Sequence, residues 1–388
     1  MLFENEIRII DSQKASWDHF ASDIKFNDFI GVVYHSDGDG LVGALYASRS
    51  VEHLVDSKIF YHWITNAEFD FVGLFEFIKK TKINKLIIVD ISIENYRHII
   101  DKLKEQVDQV FIFDHHIVTD EKALLYSSPI YLMNPTLNKA LGTNRPIPTF
   151  LFAYYLALNN DIVFPDWLLL ISIFSEGLDD RFKPEVEILF QKLNIVFQGD
   201  LRSAYWNSRF AVIASYIKTE FNGGIKSNFN LLELQKCIES YPDDFKRLEK
   251  NLEKKLKLRS QEINNSINNT VRLWESLLEL SDYKIMSFVL IPIENKAIIE
   301  GPVASILRGN YPKKIFASFK IYRDKVIYEF RTSNSSPVNI VNILGKINNS
   351  HPNILINYGG HPSACGCSIL IENLGSFNDI LKNNFEHL

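Results

Sequence analysis

Cysteine is scarce in this sequence: Cys237, Cys365 and Cys367 are the three in 388 residues. That number excludes a disulfide framework and suits a reducing compartment. Long apolar runs are missing too. Stretches such as Trp167 to Phe174 fall far short of the roughly 20 residues of a membrane span. The opening MLFENEIRIIDSQ has acids among its first residues and lacks the layout of a secretory leader, so the expected location is the cytoplasm and no membrane partner is expected. There is no internal repeat, no low-complexity tract and no strong excess of one charge. Lys and Arg total 42 against 47 Asp and Glu, a net charge of −5. A uniformly basic nucleic-acid binder is thereby excluded, and any such site must be a local basic groove. What is present is an ordinary globular composition, 46% hydrophobic and 23% charged. The length exceeds the roughly 250–300 residues at which single cores stop growing, which points to two domains.

The first 200 residues alternate strand-like and helix-like stretches. Phe29–His35, Lys58–Ile64, Lys85–Asp90 and Gln109–Phe113 read as strands. Leu41–Leu54, Phe69–Lys80 and Asn95–Gln106 read as helices. Such alternation implies βαβ units and a mainly parallel sheet covered on both faces. From Phe245 to Leu278 the apolar positions step by three, four and seven, the pattern of one long amphipathic helix. Asn264, Asn265, Asn268 and Asn269 are weak helix formers that could break it. A helix of this length between two domains reads as a strut outside either core. The last hundred residues read as a smaller α/β domain. Its strands are Lys284–Ile291, Lys314–Ile321 and Val326–Arg331, its helices Pro302–Arg308 and Val338–Lys346, and it ends in NYGGHPSACGCSI.

Chemistry concentrates at the strand ends of the first part. His35, Asp37 and Asp39 stand in VVYHSDGDG, where a strand passes into a helix. Asp90 ends the third strand in IIVDIS, and Asp114, His115 and His116 follow the fourth in FIFDHH. Each element alone has a bland reading: a βα turn, a helix cap, an exposed histidine pair. Together they put carboxylates and imidazoles at one edge of one sheet, where ligands of open α/β folds bind. So many unpaired acids would repel each other, and a pair of divalent cations resolves the conflict. The mixed oxygen and nitrogen set suits manganese, with magnesium as the second choice.

These motifs resemble the DHH phosphoesterase superfamily, named for the Asp114-His115-His116 triplet. His35-x-Asp37-x-Asp39-Gly40 matches its first motif and Asp90 its second. Asn134-Pro135 sits where the family has an Asn-Pro pair, and Leu168–Phe182 resembles the fourth motif, with Asp180 preferred over Asp179 as its acid. The C-terminal part resembles the accompanying DHHA1 domain, through Gly359-Gly360-His361 and the strand arginine Arg331. The resemblance implies an α/β protein whose parallel-sheet DHH catalytic domain (1–200) is joined by a helical connector (201–280) to a smaller DHHA1 substrate-binding domain (281–388), with a cleft between them. It implies two-metal hydrolysis of a phosphate ester. Asp90 would bridge the ions, His35, Asp37 and Asp180 would hold one, and Asp39 and His115 the other. His116 would touch the second ion or the scissile phosphate, Asp114 would orient the imidazoles, and Arg331, Gly359, Gly360 and His361 would clamp a non-reacting phosphate. Cys365 and Cys367 are read as small packing residues rather than zinc ligands.

The implied function is hydrolysis of single-stranded DNA, RNA or short oligonucleotides from an end to nucleoside 5′-monophosphates, as in RecJ-type exonucleases and oligoribonucleases. Two alternatives stand beside it. One is a small-nucleotide phosphatase or cyclic-dinucleotide phosphodiesterase. The other is a non-enzymatic scaffold, which the nearly complete ligand set disfavours. Lys246, Arg247, Lys250, Lys254, Lys255, Lys257 and Arg259 on the long helix could follow a nucleic-acid backbone, or with Glu249 and Glu253 form a solvated, ion-paired face.

Overall fold

A computed structural model describes residues 2–64, 71–93, 97–116, 129–137, 147–162, 164–175, 182–197, 199–201, 204, 208–222, 231–240, 245–284, 286–295, 297–333 and 335–385. The chain divides into two compact units. One comprises residues 1–221 and 225–258, the other 222–224 and 259–388. Among the described residues no helix is long and apolar enough to cross a membrane.

The first unit begins with two short helices, α1 (Glu4–Asp11) and α2 (Lys14–Ser22), which precede the strands of a five-stranded sheet. Its strands are β1 (Phe29–His35), β2 (Lys58–Ile64), β3 (Lys85–Val89), β4 (Gln109–Phe113) and β5 (Ile130–Met133). The connecting helices are α3 (Gly38–Leu54), α4 (Phe71–Thr81) and α5 (Arg97–Gln106). Every strand pair is parallel, in the order β2-β1-β3-β4-β5. All five strands therefore end at the same edge. The chain leaves β1 toward β2 and returns to β3 on the far side of β1, so β1 and β3 flank the point where strand order reverses. A crevice at such a switch point is where open α/β sheets bind ligands.

Alternation along the buried strands supplies two cores. Tyr34, Ile87, Val89, Phe111 and Phe113 face one side, with α2, α3 and the helices α6 (Phe150–Asn159) and α7 (Asp166–Ser175). Val33, Leu86, Ile88, Val110 and Ile112 face the other, against α4 and α5. Helices α6 and α7 are apolar on nearly every side, which is why both lie buried against α3. The unit continues through α8 (Lys183–Lys192), α9 (Arg209–Asn222) and α10 (Leu231–Ser240).

Helix α11 runs unbroken from Phe245 to Leu278, 34 residues, through the asparagines that could have interrupted it. Tertiary burial outweighs a few tenths of a kcal/mol of propensity per asparagine. The helix is also no strut outside the cores. Leu252 and Leu256 are buried in the first unit, and Ile263, Ile267, Val271, Trp274 and Leu278 in the second.

The second unit is a mixed sheet of β6 (Phe288–Pro292), β7 (Ile315–Tyr322), β8 (Lys325–Arg331), β9 (Asn357–His361) and β10 (Ala364–Leu370), in the order β6-β7-β8-β10-β9. Helices α14 (Ile340–Ser350) and α15 (Leu374–Phe385) cover one face with Tyr328, Phe330, Cys365 and Cys367. Helix α13 (Glu300–Asn310), numbered after the single turn α12 (Ser281–Lys284), covers β7 and β8 on the other. Both cysteines are thus packing residues of an apolar core.

Candidate metal centre

The site grows out of the β1–α3 junction. Helix α3 begins at Gly38, three residues before the Leu41 start that the sequence suggests. Asp37 caps that helix: its Oδ1 accepts from Gly40 N at 3.0 Å. Its Oδ2 lies 3.0 Å from His35 Nδ1, so one carboxylate joins the strand end to the helix start. Gly40 is required by steric fit. A Cβ there would stand 2.9 Å from His35 N and closer still to the His35 carbonyl oxygen. From the other side, Ser175 at the end of α7 accepts a hydrogen bond from Gly38 N at 2.8 Å through its hydroxyl.

Strand β3 stops at Val89, and Asp90 is the first residue beyond it, with a left-handed φ of 62°. Aspartate tolerates that region better than most residues, yet it remains a strained position fixed by its surroundings. Its N–H still donates to Phe113 O at 2.8 Å, which continues the ladder toward β4. The turn buries the carboxylate between three side chains. His115 Nε2 is 3.2 Å and Thr149 Oγ1 3.3 Å from Oδ1, and His35 Nδ1 is 3.3 Å from Oδ2. Oδ2 is buried and among the described residues makes no hydrogen bond of good geometry.

Asp39 points the other way into the protein. Its two oxygens accept from Thr149 N (2.8 Å) and Phe150 N (2.7 Å), the first amides of α6. The positive end of that helix compensates a fully buried carboxylate. Asp114 accepts from His116 Nδ1 (2.8 Å) and His116 N (2.9 Å), and Asn134 Nδ2 donates to His116 O at 2.9 Å. The Asn-Pro pair therefore ties the end of β5 to the DHH triplet.

The electrostatics follow from this contact set. Burial alone would raise Asp90, but the adjacent imidazoles of His115 and His35 outweigh it and hold the carboxyl well below the usual range. Burial lowers and Asp37 and Asp90 together raise His35, with a net result well above an ordinary imidazole. His116 is raised too: Asp114 outweighs burial and the repulsion of His115. Asp37 is lowered, because His35 outweighs burial and the nearby Asp90; the exposed Lys218 of α9 adds a smaller attraction.

The predicted residues therefore converge. Ligand-type atoms of His35, Asp37 and Asp90 lie within 4.8 Å of one another, as do those of Asp39, Asp90 and His115, and those of Asp90, Asp114 and His116. Asp90 belongs to all three groups. The chemistry of the donors fits divalent cations: hard carboxylates with imidazole nitrogens, buried, and one carboxylate oxygen left without a good hydrogen bond. Asp179 and Asp180 lie outside the described residues. Sequence reasoning missed Thr149, Ser175 and Lys218. A threonine ahead of the apolar run 150–157 was the one visible signal, and it suggests a helix cap rather than a bond to Asp90.

In the second unit the register Arg331–Ala364–His361 crosses β8, β10 and β9, so these side chains share one face. Glu329, Gly366 and Gly359 form the adjacent row on that face. Gly360 points the other way. Its φ of 124° and the 2.7 Å from a would-be Cβ to Ala364 O make glycine obligatory for strand pairing there. Arg331 is held by Glu329 Oε2 (3.0 Å from Nη1) and Ser305 Oγ (3.1 Å from Nε).

Residues 29–157 match the DHH family, N-terminal domain. Among solved structures the chain is similar to RecJ from Thermus thermophilus in complex with manganese (TM-score 0.59, 16% identity). That match covers 100% of this chain and 55% of that one, so the chain spans about half the length of this RecJ. It is also similar to a manganese-bound exonuclease RecJ (TM-score 0.56, 16% identity, 96% and 93% covered). A third neighbour is CDC45 from Entamoeba histolytica (TM-score 0.53, 12% identity, 98% and 99% covered). At these identities the likeness is one of fold. No curated protein matches the chain.

Gly40→Ala tests the junction. Alanine gains about 1 kcal/mol of helix propensity, but a methyl forced against backbone costs about 1–3 kcal/mol. The expected outcome is a lower urea midpoint; a raised midpoint would show that strand and helix separate freely.

Proposed function

We propose that this chain is a metal-dependent phosphodiesterase that hydrolyses single-stranded nucleic acid or short oligonucleotides from an end, releasing nucleoside 5′-monophosphates. The observation that carries the reading is the pair of ligand groups sharing Asp90 at the switch point of a DHH fold. His35 and Asp37, with Asp180, would hold one divalent ion. Asp39 and His115 would hold a second, with Asp90 common to both. Bound there, such ions supply positive charge against the phosphoryl oxygens and a more acidic water.

The chain's own residues do the rest. Asp114 accepts from His116 Nδ1, which fixes the tautomer and leaves Nε2 as the atom turned to chemistry. Thr149 bonds Asp90 and keeps its carboxylate aligned. The amides of α6 anchor Asp39, so it cannot swing away when its environment changes. In the second unit Arg331, Gly359, Gly360 and His361 would bind a non-reacting phosphate. Binding away from the reacting centre positions the ester and lowers the entropic part of the barrier.

Activity is expected to require a divalent ion, manganese above magnesium. Chelation should abolish hydrolysis and manganese should restore it. Full turnover after exhaustive metal removal would refute the two-metal assignment.

Asp90→Ala and His115→Ala should each cost about 100-fold or more in turnover, the scale of several kcal/mol of lost transition-state stabilisation. Circular dichroism should show the fold of Asp90→Ala retained, since removing an acid from a crowded cluster relieves repulsion. Wild-type turnover in either variant would remove that residue from the site.

Rate against substrate length, from dinucleotide to about thirty nucleotides, decides the substrate class. Short single strands should already be good substrates, duplex a poor one, and the salt dependence shallow because few phosphates are neutralised. Activity confined to mononucleotides or cyclic dinucleotides would replace the nuclease reading with the phosphatase one.

A further inference from the structure

The second unit holds a guanidinium that none of the motifs marks. Arg308 lies on α13 one turn beyond Ser305, so the two side chains share a helix face. The Ser305 hydroxyl accepts from Arg331 Nε, which carries Arg308 to the side of α13 that meets Arg331. Arg308 is half-buried, and among the described residues it has no ion pair or hydrogen bond. Burial and then the charge of Arg331 push its pKa down, the sign of two cations held near each other.

Arg331 itself is only partly committed. Nε goes to Ser305, and Nη1 to Glu329 Oε2 and to Phe330 O at 2.8 Å. Among the described residues Nη2 makes no hydrogen bond, and it lies against Gly301, where a Cβ would stand 3.0 Å away. The neighbouring Lys320 and buried Glu300 face each other at 3.7 Å and offset one another. Among the described residues that leaves one carboxylate, Glu329, for two guanidiniums. Helix and strand hold this like-charged pair in place at a cost, and an oxyanion between the two forks would relieve it.

We propose that Arg308 and Arg331 form an anion subsite that receives a phosphate group of the substrate, with Arg308 as a binding residue. The identity of the ligand as a nucleotide phosphate rests on the function proposed above; the anion subsite does not.

The test uses the full chain and inorganic phosphate, titrated calorimetrically in the presence of chelator so that the metal centre takes no part. Wild type should bind phosphate. Arg308→Ala should weaken binding about tenfold or more, the scale of a lost charge-assisted contact. Arg308→Lys should recover only part, because a point charge replaces a bidentate fork. On oligonucleotides with manganese present, Arg308→Ala should raise KM more than it lowers kcat. No phosphate binding by wild type, or equal binding by wild type and Arg308→Ala, would overturn the subsite. Weakened phosphate binding in Arg308→Ala, in a chain that hydrolyses no oligonucleotide, would support the subsite and count against the nuclease reading alone.

Discussion

Buried carboxylates crowded at one sheet edge are the constraint on which the first unit is built. Asp37, Asp39, Asp90 and Asp114 are all buried there. Two unit charges about 4 Å apart repel by about 4 kcal/mol at an effective dielectric of 20, a large share of the 5–15 kcal/mol that stabilises a domain. Each acid is compensated differently. Asp37 takes a helix amide and His35, Asp39 takes the N-terminus of α6, and Asp114 takes the ring and amide of His116. Asp90 receives two imidazoles and a hydroxyl, and one of its oxygens keeps no good hydrogen bond. It is the least satisfied of these four acids and is common to the three ligand groups that contain a carboxylate.

The same contacts tie the fold to the site. Asp37 and Ser175 fix the start of α3, and Asp39 fixes the start of α6. The packing of α3, α6 and α7 is thus coupled to the carboxylates at the sheet edge. Parallel topology makes the convergence possible, because parallel pairing of β1 with β3 and of β3 with β4 brings their ends to one edge. The left-handed turn at Asp90 is where that arrangement costs backbone strain.

Strands β1, β3 and β4 were legible because strands buried on both faces are apolar along most of their length, and the partly buried edge strand β2 through its aromatic and β-branched residues. The strand ends were legible because acids and histidines interrupt those runs. The N-terminal helices were not: the N-cap residues of α1 and α2, Phe3 and Gln13, make no side-chain cap, so the usual start signal is missing. Strand β5 has four residues and little pattern to read. Thr149 and Ser175 bond to residues 59 and 137 positions away, a separation that no local pattern encodes. The long helix was visible in its apolar period, but the period cannot tell which core each turn enters.

Strand parity explains how the second unit carries a different chemistry on a similar number of strands. Cys365 and Cys367 fall on the apolar face, where burial pushes their thiols up and leaves them inert packing groups. The residues that alternate with them, Ala364 and Gly366, are small and fall on the face shared with Arg331, Glu329 and His361. Small residues along β10 leave backbone accessible between an arginine on one side and a histidine on the other. The glycine at 360 serves the strand pairing, so the open surface owes more to Gly359, Ala364 and Gly366 than to the whole Gly-Gly-His motif. The first unit thus gathers buried negative charge that calls for cations, and the second gathers guanidiniums that call for an anion.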